Sequence, residues 1–258
     1  MEFENKIAII TGAGSGIGKG TSLMLAKEGA TVVVADLNEE SAKNVSNEII
    51  NSGGKATYFK LDVTKSDEVT EMSEYVKEKI GLIDILVNNA GISIITPFFK
   101  HTEEIWDKTM EVNLKGQFLC CKAIIPQMLE KGSGSIINMS SQSGKVGTND
   151  YQAYCASKFG VIGLTQALSK EFAGKGVRVN SVCPGVVYTS MWKKQKADYA
   201  AKKNIGSEEV MDYFADKIPE GRVGKVEDIT NTISFLLSDK ADYITGQAIN
   251  VNGGDIMF

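Results

Sequence analysis

The sequence predicts a single-domain α/β fold, a doubly wound parallel sheet with helices on both faces. Short β-branched apolar runs alternate with longer amphipathic or charged segments from residue 6 to residue 251, the pattern of strand–helix–strand units. Those runs are apolar at consecutive positions, as strands buried on both faces require. The chain has 258 residues, 43% of them hydrophobic and only four of them proline, enough for one large core. No internal repeat, linker or shift in composition divides it.

Residues 6–11 (KIAIIT) form the first expected strand, and a glycine-rich loop then opens a helix carrying Leu23, Leu25 and Ala26. Residues 31–35 are a second β-branched run, closed by Asp36. A helix over 39–51 and a strand over 56–61 follow, the strand ending at Asp62. Residues 65–79 read as a charged amphipathic helix, and 83–87 as a fourth strand running into Asn88-Asn89-Ala90-Gly91. Thr102 suits a helix N-cap, with Glu103 and Glu104 in the first turn where the dipole favours acids, and that helix is expected to run towards Leu129. A strand over 135–139, a helix over 154–172 and a strand over 177–183 come next. Residues 188–214 are polar, lysine-rich and helical in propensity; a helix over 227–237 and a strand over 248–251 precede Gly253-Gly254.

Composition narrows the function. A formal charge of −4 with no basic block argues against nucleic acid as a partner. One histidine cannot complete a usual zinc set. The cysteines, Cys120 beside Cys121 with Cys155 and Cys183 apart, form no C-x-x-C, so reduced thiols in a cytoplasmic protein are expected. The acidic start MEFENK leads straight into a strand and does not read as a signal peptide, and no apolar run is long enough to span a bilayer. A small-molecule substrate, with no nucleic acid, membrane or metal involved, is the class that remains.

Thr11-Gly12-Ala13-Gly14-Ser15-Gly16-Ile17-Gly18 lies between the first strand and the first helix. Gly12, Gly16 and Gly18 let the backbone turn tightly and approach a pyrophosphate, whose charge the helix N-terminus favours. Asp36, ending the second strand, can accept hydrogen bonds from an adenosine ribose and would repel a 2′-phosphate. Ser15, Leu37 and Asn38 bring no cation to offset it, so NAD is expected over NADP.

Tyr154 and Lys158 fall on one helix face, one turn apart, with Ser141 thirteen residues before the tyrosine. A neighbouring ammonium favours the phenolate, which makes Tyr154 a candidate acid/base and leaves Ser141 to hold the reacting oxygen. Tyr75/Lys79, Tyr199/Lys203 and Tyr213/Lys217 share the spacing, but in charge-rich surroundings and without the serine, and read as solvated helix faces. His101 is expected to be exposed and Cys155 to be a packing residue.

Taken together, the glycine loop, Asp62-Val63, Asn88-Asn89-Ala90-Gly91, Asn113 within Val-Asn-Leu-Lys-Gly, Ser141, Tyr154, Lys158 and Pro184-Gly185 with Thr189 resemble the short-chain dehydrogenase/reductase family over residues 6–254. The resemblance implies a Rossmann-type fold and hydride transfer between a nicotinamide cofactor and a carbinol carbon. It implies cofactor contacts from Gly12, Ser15, Gly16, Ile17, Gly18, Asp36, Leu37, Asn89, Ala90, Gly91, Tyr154, Pro184 and Gly185. Asp62 and Val63 would touch adenine, Asn89 the adenosine ribose side, Val187 and Thr189 the carboxamide, and Lys158 the nicotinamide ribose. Asn113 would hold a water in a proton relay. A homotetramer is common in the family. A nucleotide-binding regulator that has lost its chemistry is the alternative from another class, disfavoured because serine, tyrosine and lysine are all present.

Substrate choice is expected from residues 186–222. Met191-Trp192, residues 214–219 and the tail from Thr245-Gly246-Gln247 to Met257-Phe258 look like the polyol-oxidising branches. Ser143-Gly144-Lys145-Val146-Gly147, Phe159-Gly160, Gly163-Leu164-Thr165-Gln166 and that tail are most similar to sorbitol-6-phosphate 2-dehydrogenases; acetoin reductases (2,3-butanediol dehydrogenases), which share a comparable Met-Trp and Thr-Gly-Gln pattern, come next. Ser141, Gln142, Lys145, Tyr154, Met191 and Trp192 are the candidate substrate residues. Lys145 is expected to meet a substrate phosphate, with Lys193, Lys194, Lys196, Lys202 and Lys203 raising the local anion concentration.

Overall fold

In the computed structural model, which describes residues 1–258 apart from the side chain of Lys194, strands and helices alternate. They run β1 (Ile7–Thr11), α1 (Gly16–Lys27), β2 (Thr31–Asp36), α2 (Glu39–Asn51), β3 (Lys55–Lys60), α3 (Ser66–Lys79) and β4 (Ile85–Asn88). The second half continues with α4 (Glu103–Met110), α5 (Gly116–Lys131), β5 (Gly134–Met139), α6 (Gln152–Phe172) and β6 (Val177–Pro184), then α7 (Ser190–Lys203), α8 (Val210–Ala215), α9 (Val226–Leu237) and β7 (Ala248–Val251). The seven strands pair in parallel in the order β3-β2-β1-β4-β5-β6-β7.

The consecutive apolar residues of the strands supply two cores, because successive side chains point to opposite faces. Ala8 and Ile10 of β1 join Val32 and Val34 under α1, α2 and α9, while Ile9 and Val33 pack with Leu86 and Ile136 under α3 and α5. Ile9 is fully buried, and its truncation to alanine would cost about 2–5 kcal/mol. The strand order reverses between β1 and β4, so a crevice opens at the carboxyl ends of those two strands.

Two segments differ from the sequence expectation. The helix expected to run from Thr102 to Leu129 is interrupted by a π turn, Glu111–Lys115, between α4 and α5. The Thr102 hydroxyl does cap it, accepting from the Ile105 N–H at 3.3 Å. The lysine-rich stretch 188–214 forms two helices, because Asn204 adopts the left-handed conformation (φ 54°) that ends α7. Trp192 packs edge-on against Tyr199 and Phe214 between α7 and α8, and the three form a small core of their own. This unit is fastened to the body by Gln195, which donates to the Ser93 carbonyl, and by a Lys202–Asp150 ion pair at 2.9 Å. Among the described residues, no helix is long and apolar enough to cross a membrane.

Candidate active site

The glycine loop is tied to β4 across the crevice. Gly12 has φ +61°, and a Cβ there would lie 2.8 Å from the Ala90 Cα, so the loop presses directly on the strand end. The Asn89 side chain donates to the Thr11 and Gly12 carbonyls, both at 3.0 Å, and the Thr11 hydroxyl accepts from the Asn89 and Ala90 N–H groups at 3.0 and 3.1 Å. Asn89 was expected to face the adenosine ribose; its amide nitrogen instead braces the loop. Thr11 is a partner that the sequence reading missed, signalled only by its place between β1 and the first glycine.

The N-terminus of α1 has no side-chain cap, since the Ser15 hydroxyl pairs with the Ser190 hydroxyl at 3.0 Å. First-turn N–H groups therefore remain for an anion. Asp36 accepts from the Gly14 N–H at 2.8 Å and from the Asn38 N–H at 2.9 Å, which fixes its carboxylate at the loop. Leu37 beyond it is exposed, and Lys19 of α1 is paired with Glu48 at 2.8 Å. Gly16 lies against Thr189, where a Cβ would be 3.4 Å from the threonine Cβ. These residues fit a dinucleotide whose pyrophosphate lies at the helix end and whose ribose faces an acid.

Other expected cofactor residues are less available. The Asp62 carboxylate accepts from the N–H and hydroxyl of Thr64 at 3.0 and 2.8 Å. Val63 is buried against Gly116, and the Val187 side chain packs into the core under α1 and α9. With these side chains packed inward, the adenine and carboxamide contacts expected of Val63 and Val187 would fall to their backbone. Pro184 closes β6, and Gly185 follows it with its N–H on the Val251 carbonyl at 3.0 Å.

The first turns of α6 carry Tyr154 and Lys158. Lys158 is buried and donates to the Met139 carbonyl at 2.8 Å, and its Nζ stands 5.7 Å from the Tyr154 ring centroid. A Cβ on Gly91 would be 3.6 Å from that nitrogen and 3.3 Å from Asn113 Oδ1, which brings β4, the π turn and α6 to one point. Asn113 accepts from the Ile92 N–H at 2.8 Å and donates to the Ile92 carbonyl at 2.9 Å and the Ser157 hydroxyl at 3.1 Å. The Asn113 side chain is taken up in fixing Ile92 and Ser157, so a relay water at this residue would fall to its backbone. Ser140, unforeseen from sequence, donates to the Lys158 carbonyl at 2.8 Å. Ser141 accepts from the Ser143 N–H at 3.1 Å.

Electrostatics departs from the sequence expectation. Burial pushes the Tyr154 phenol above its ordinary pKa, with a side-chain hydrogen bond from Ser141 pulling it the other way. Burial also lowers Lys158 from 10.5 to about 8. The ammonium was expected to bring the phenol down; desolvation outweighs it, because the lysine points to Met139 rather than to the phenol oxygen.

On the substrate side, Gln142 donates to Asp255 Oδ2 at 2.9 Å. The two line a cleft of about 600 Å³ with Val146, Thr148 and residues 256–258. Lys145, expected to meet a substrate phosphate, gives one of its three donors to the Ala248 carbonyl at 2.8 Å. Trp192, expected in the substrate pocket, is engaged in the α7–α8 aromatic core, and Met191 beside it is half-buried. Of the remaining lysines, Lys202 is paired with Asp150, and Lys203 lies over the rings of Tyr199 and Tyr213 at 5.9 and 6.0 Å. Lys193 is exposed and Lys196 half-buried, while the Lys194 side chain lies outside the described residues. Tyr199 is buried rather than solvated, and His101 is half-buried edge-on to Trp106. Cys155 is buried, as expected of a packing residue. Another cleft, of about 440 Å³, lies between the ends of α1 and α2 near Met1 and Glu4, far along the chain from these groups. Among the described residues, no group of three His, Cys, Asp or Glu could hold a metal.

A family model described as enoyl-(acyl carrier protein) reductase matches residues 12–255. The chain is similar to a 3-oxoacyl-[acyl-carrier-protein] reductase FabG of Thermotoga maritima, 41% identical over 98% of this chain and 99% of that protein. Among solved structures it is similar to the sorbitol-6-phosphate 2-dehydrogenase SrlD of Erwinia amylovora, with 38% identity, a TM-score of 0.94 and coverage of 97% of this chain and 100% of that one. A single-substitution variant of the actinorhodin polyketide ketoreductase, solved with NADPH, also has a TM-score of 0.94, at 35% identity and 97% coverage of both chains. A short-chain type dehydrogenase/reductase of Mycobacterium marinum superposes with a TM-score of 0.91, 35% identity and coverage of 100% of this chain and 98% of that one. With these likenesses running its whole length, the chain belongs to the short-chain dehydrogenase/reductase family, oxidoreductases that act on CH–OH and keto groups with a nicotinamide cofactor.

Proposed function

We propose that the chain is an NAD(H)-linked dehydrogenase of a small polyol, interconverting a secondary alcohol and its ketone. The observation that carries this is the convergence of Ser141, Tyr154 and Lys158 at the crevice, beside a glycine loop whose acid is fixed in place. A bound nicotinamide supplies the hydride chemistry. Tyr154 takes the hydroxyl proton in oxidation and returns it in reduction, and Ser141 hydrogen-bonds the reacting oxygen. Lys158 holds the nicotinamide ribose with the donors left free by Met139, and Asn113 keeps Ile92 and Ser157 in position around it.

NAD(H) is favoured because Asp36 presents negative charge where a 2′-phosphate would lie and Lys19 is already paired. The polyol reading is supported by the sequence of the tail and of the 141–147 loop, and by the likeness to the Erwinia sorbitol-6-phosphate enzyme. Its phosphorylated version is less favoured, because Lys145 is held at the Ala248 carbonyl by one of its donors. A second reading, NADPH-dependent reduction of a 3-oxoacyl thioester, is favoured by the names of the 41% identical relatives and by the NADPH-bound neighbour. Initial rates with NAD and NADP on sorbitol, sorbitol 6-phosphate and 2,3-butanediol, set against NADH and NADPH oxidation with acetoacetyl thioester, decide between them. A thioester turned over faster than every polyol overturns the proposal. A cytoplasmic homotetramer belongs to the same proposal, supported by Phe118 and Phe159, which stand half-exposed on α5 and α6; light scattering tests the assembly.

A further inference from the structure

We infer that Asp255 is a specificity-determining residue, admitting uncharged hydroxylated substrates to the cleft it lines with Gln142, the residue after Ser141, and disfavouring anionic ones; this rests on the reaction proposed at Tyr154. The stretch after β7 that carries Asp255 is fastened down, because Asn250 and Asn252 each donate to the Ile256 carbonyl at 2.9 Å. Gln142, the residue after Ser141, donates to Asp255 Oδ2 at 2.9 Å. Its own Oε1 is buried without a partner and lies 2.9 Å from where a Cβ of residue 185 would be, so the side chain is lodged between Gly185 and Asp255. Gln142 thus links the serine loop to the carboxylate and sets where that carboxylate stands.

Asp255 Oδ1 has no partner among the described residues, and Asp255 forms no ion pair among them. Lys145, the cation of the neighbouring loop, gives its hydrogen bond to Ala248 on β7. The cleft of about 600 Å³ that Asp255 borders is otherwise walled largely by Val146, Ile256, Met257 and Phe258. Asp255 is itself exposed, and a carboxylate with no ion pair accepts hydrogen bonds from hydroxyl groups and repels phosphate or carboxylate. Selection by a repulsive element needs no tighter contact to the preferred substrate. A polyol with its reacting carbon at Ser141 and Tyr154 would offer its remaining hydroxyls to Asp255, where a terminal phosphate would meet like charge.

The test is the ratio of kcat/KM for a neutral substrate to that for its anionic counterpart, measured on two pairs: sorbitol with sorbitol 6-phosphate, and ethyl acetoacetate with acetoacetate. Asp255→Asn keeps the shape and an acceptor for Gln142. It is expected to lower the ratio by roughly tenfold or more, chiefly through a lower KM for the anion, and Asp255→Lys to lower it further. Gln142→Ala, removing a positioning residue, should lower it by a smaller factor. A ratio that stays within about twofold in Asp255→Asn, or two members of a pair that change together, overturns the inference. Wild-type preference for the keto ester over the polyols would instead overturn the polyol reading, with the charge ratio still measured on the second pair. Turnover of none of the four compounds overturns both.

Discussion

At Tyr213 the Lys217 ammonium lies 2.6 Å from the phenol oxygen and 4.0 Å from the ring centroid, and Lys203 stands over the same ring. At Tyr154 the lysine one turn on is 5.7 Å from the ring centroid and bonds a backbone carbonyl. The hydrogen bond from Lys217 lowers the Tyr213 phenol below its ordinary pKa, while burial raises that of Tyr154. The pair better arranged to make a phenolate is therefore the half-exposed one, at α8. A shifted pKa marks an environment, and a site needs convergent partners as well. Tyr154 has them in Ser141 and Lys158, with Gly91 and Asn113 packed behind; Tyr213 has only its cations.

The contrast is broken most directly by phenylalanine at each tyrosine. Tyr154→Phe is expected to lose on the order of 10²–10⁴-fold in kcat while still binding NADH by fluorescence titration, and Tyr213→Phe to stay within about twofold. Equal losses would show that the half-exposed pair contributes to chemistry. Next in size is the fixed acid of the glycine loop. Asp36→Ala combined with Leu37→Arg is expected to move the NAD/NADP ratio of kcat/KM by about ten- to hundredfold towards NADP. A wild type that uses both cofactors equally would sink the charge argument.

A smaller effect comes from Lys158, whose folded pKa of about 8 lies below the ordinary 10.5. Between those values the unfolded chain holds a proton that the folded chain lacks, so folding stability rises with pH across the window. Below about pH 8 the buried charge costs its full amount, so Lys158→Met should gain more over wild type at pH 7 than at pH 10 in urea midpoints. An unchanged difference would mean that the ammonium is better solvated than its burial implies. Least of all is expected of Lys145→Ala: less than about threefold in kcat/KM for sorbitol 6-phosphate, because its ammonium is bonded to Ala248. A loss of ten- to hundredfold would restore the phosphate contact.

The element order was legible because strands buried on both faces leave continuous apolar runs, as at residues 31–35, and because caps such as Thr102 act locally. Ser141, Tyr154, Lys158 and Asp36 could be singled out as candidates as well, from the spacing of the first three and from the place of Asp36 at the end of its strand. What the sequence could not show was where long side chains end. Lys145 and Lys158 both find backbone carbonyls, and Trp192 turns into the α7–α8 core, all choices made by three-dimensional neighbours. The π turn was hidden because a helix-forming stretch gives no sign that Asn113 is needed by Ile92, twenty-one residues earlier. Asp255 was hidden for a related reason: its partner Gln142 is 113 residues away in sequence.

Asn88 and Asn138, opposite each other in the β4–β5 pairing, are fully buried, and Asn88 donates to Asn138 at 2.9 Å. Asn138 in turn donates to Thr165 of α6 at 3.0 Å. Apolar strands can slide on one another at little cost, but these two amides match in one alignment only. A slip by one residue would leave each without its partner in a dry interior, at about 1–3 kcal/mol apiece, and would turn one strand inside out against the other. The pair therefore fixes the alignment of β4 on β5, and with it the places of Asn89 and Ser141, just beyond the two asparagines.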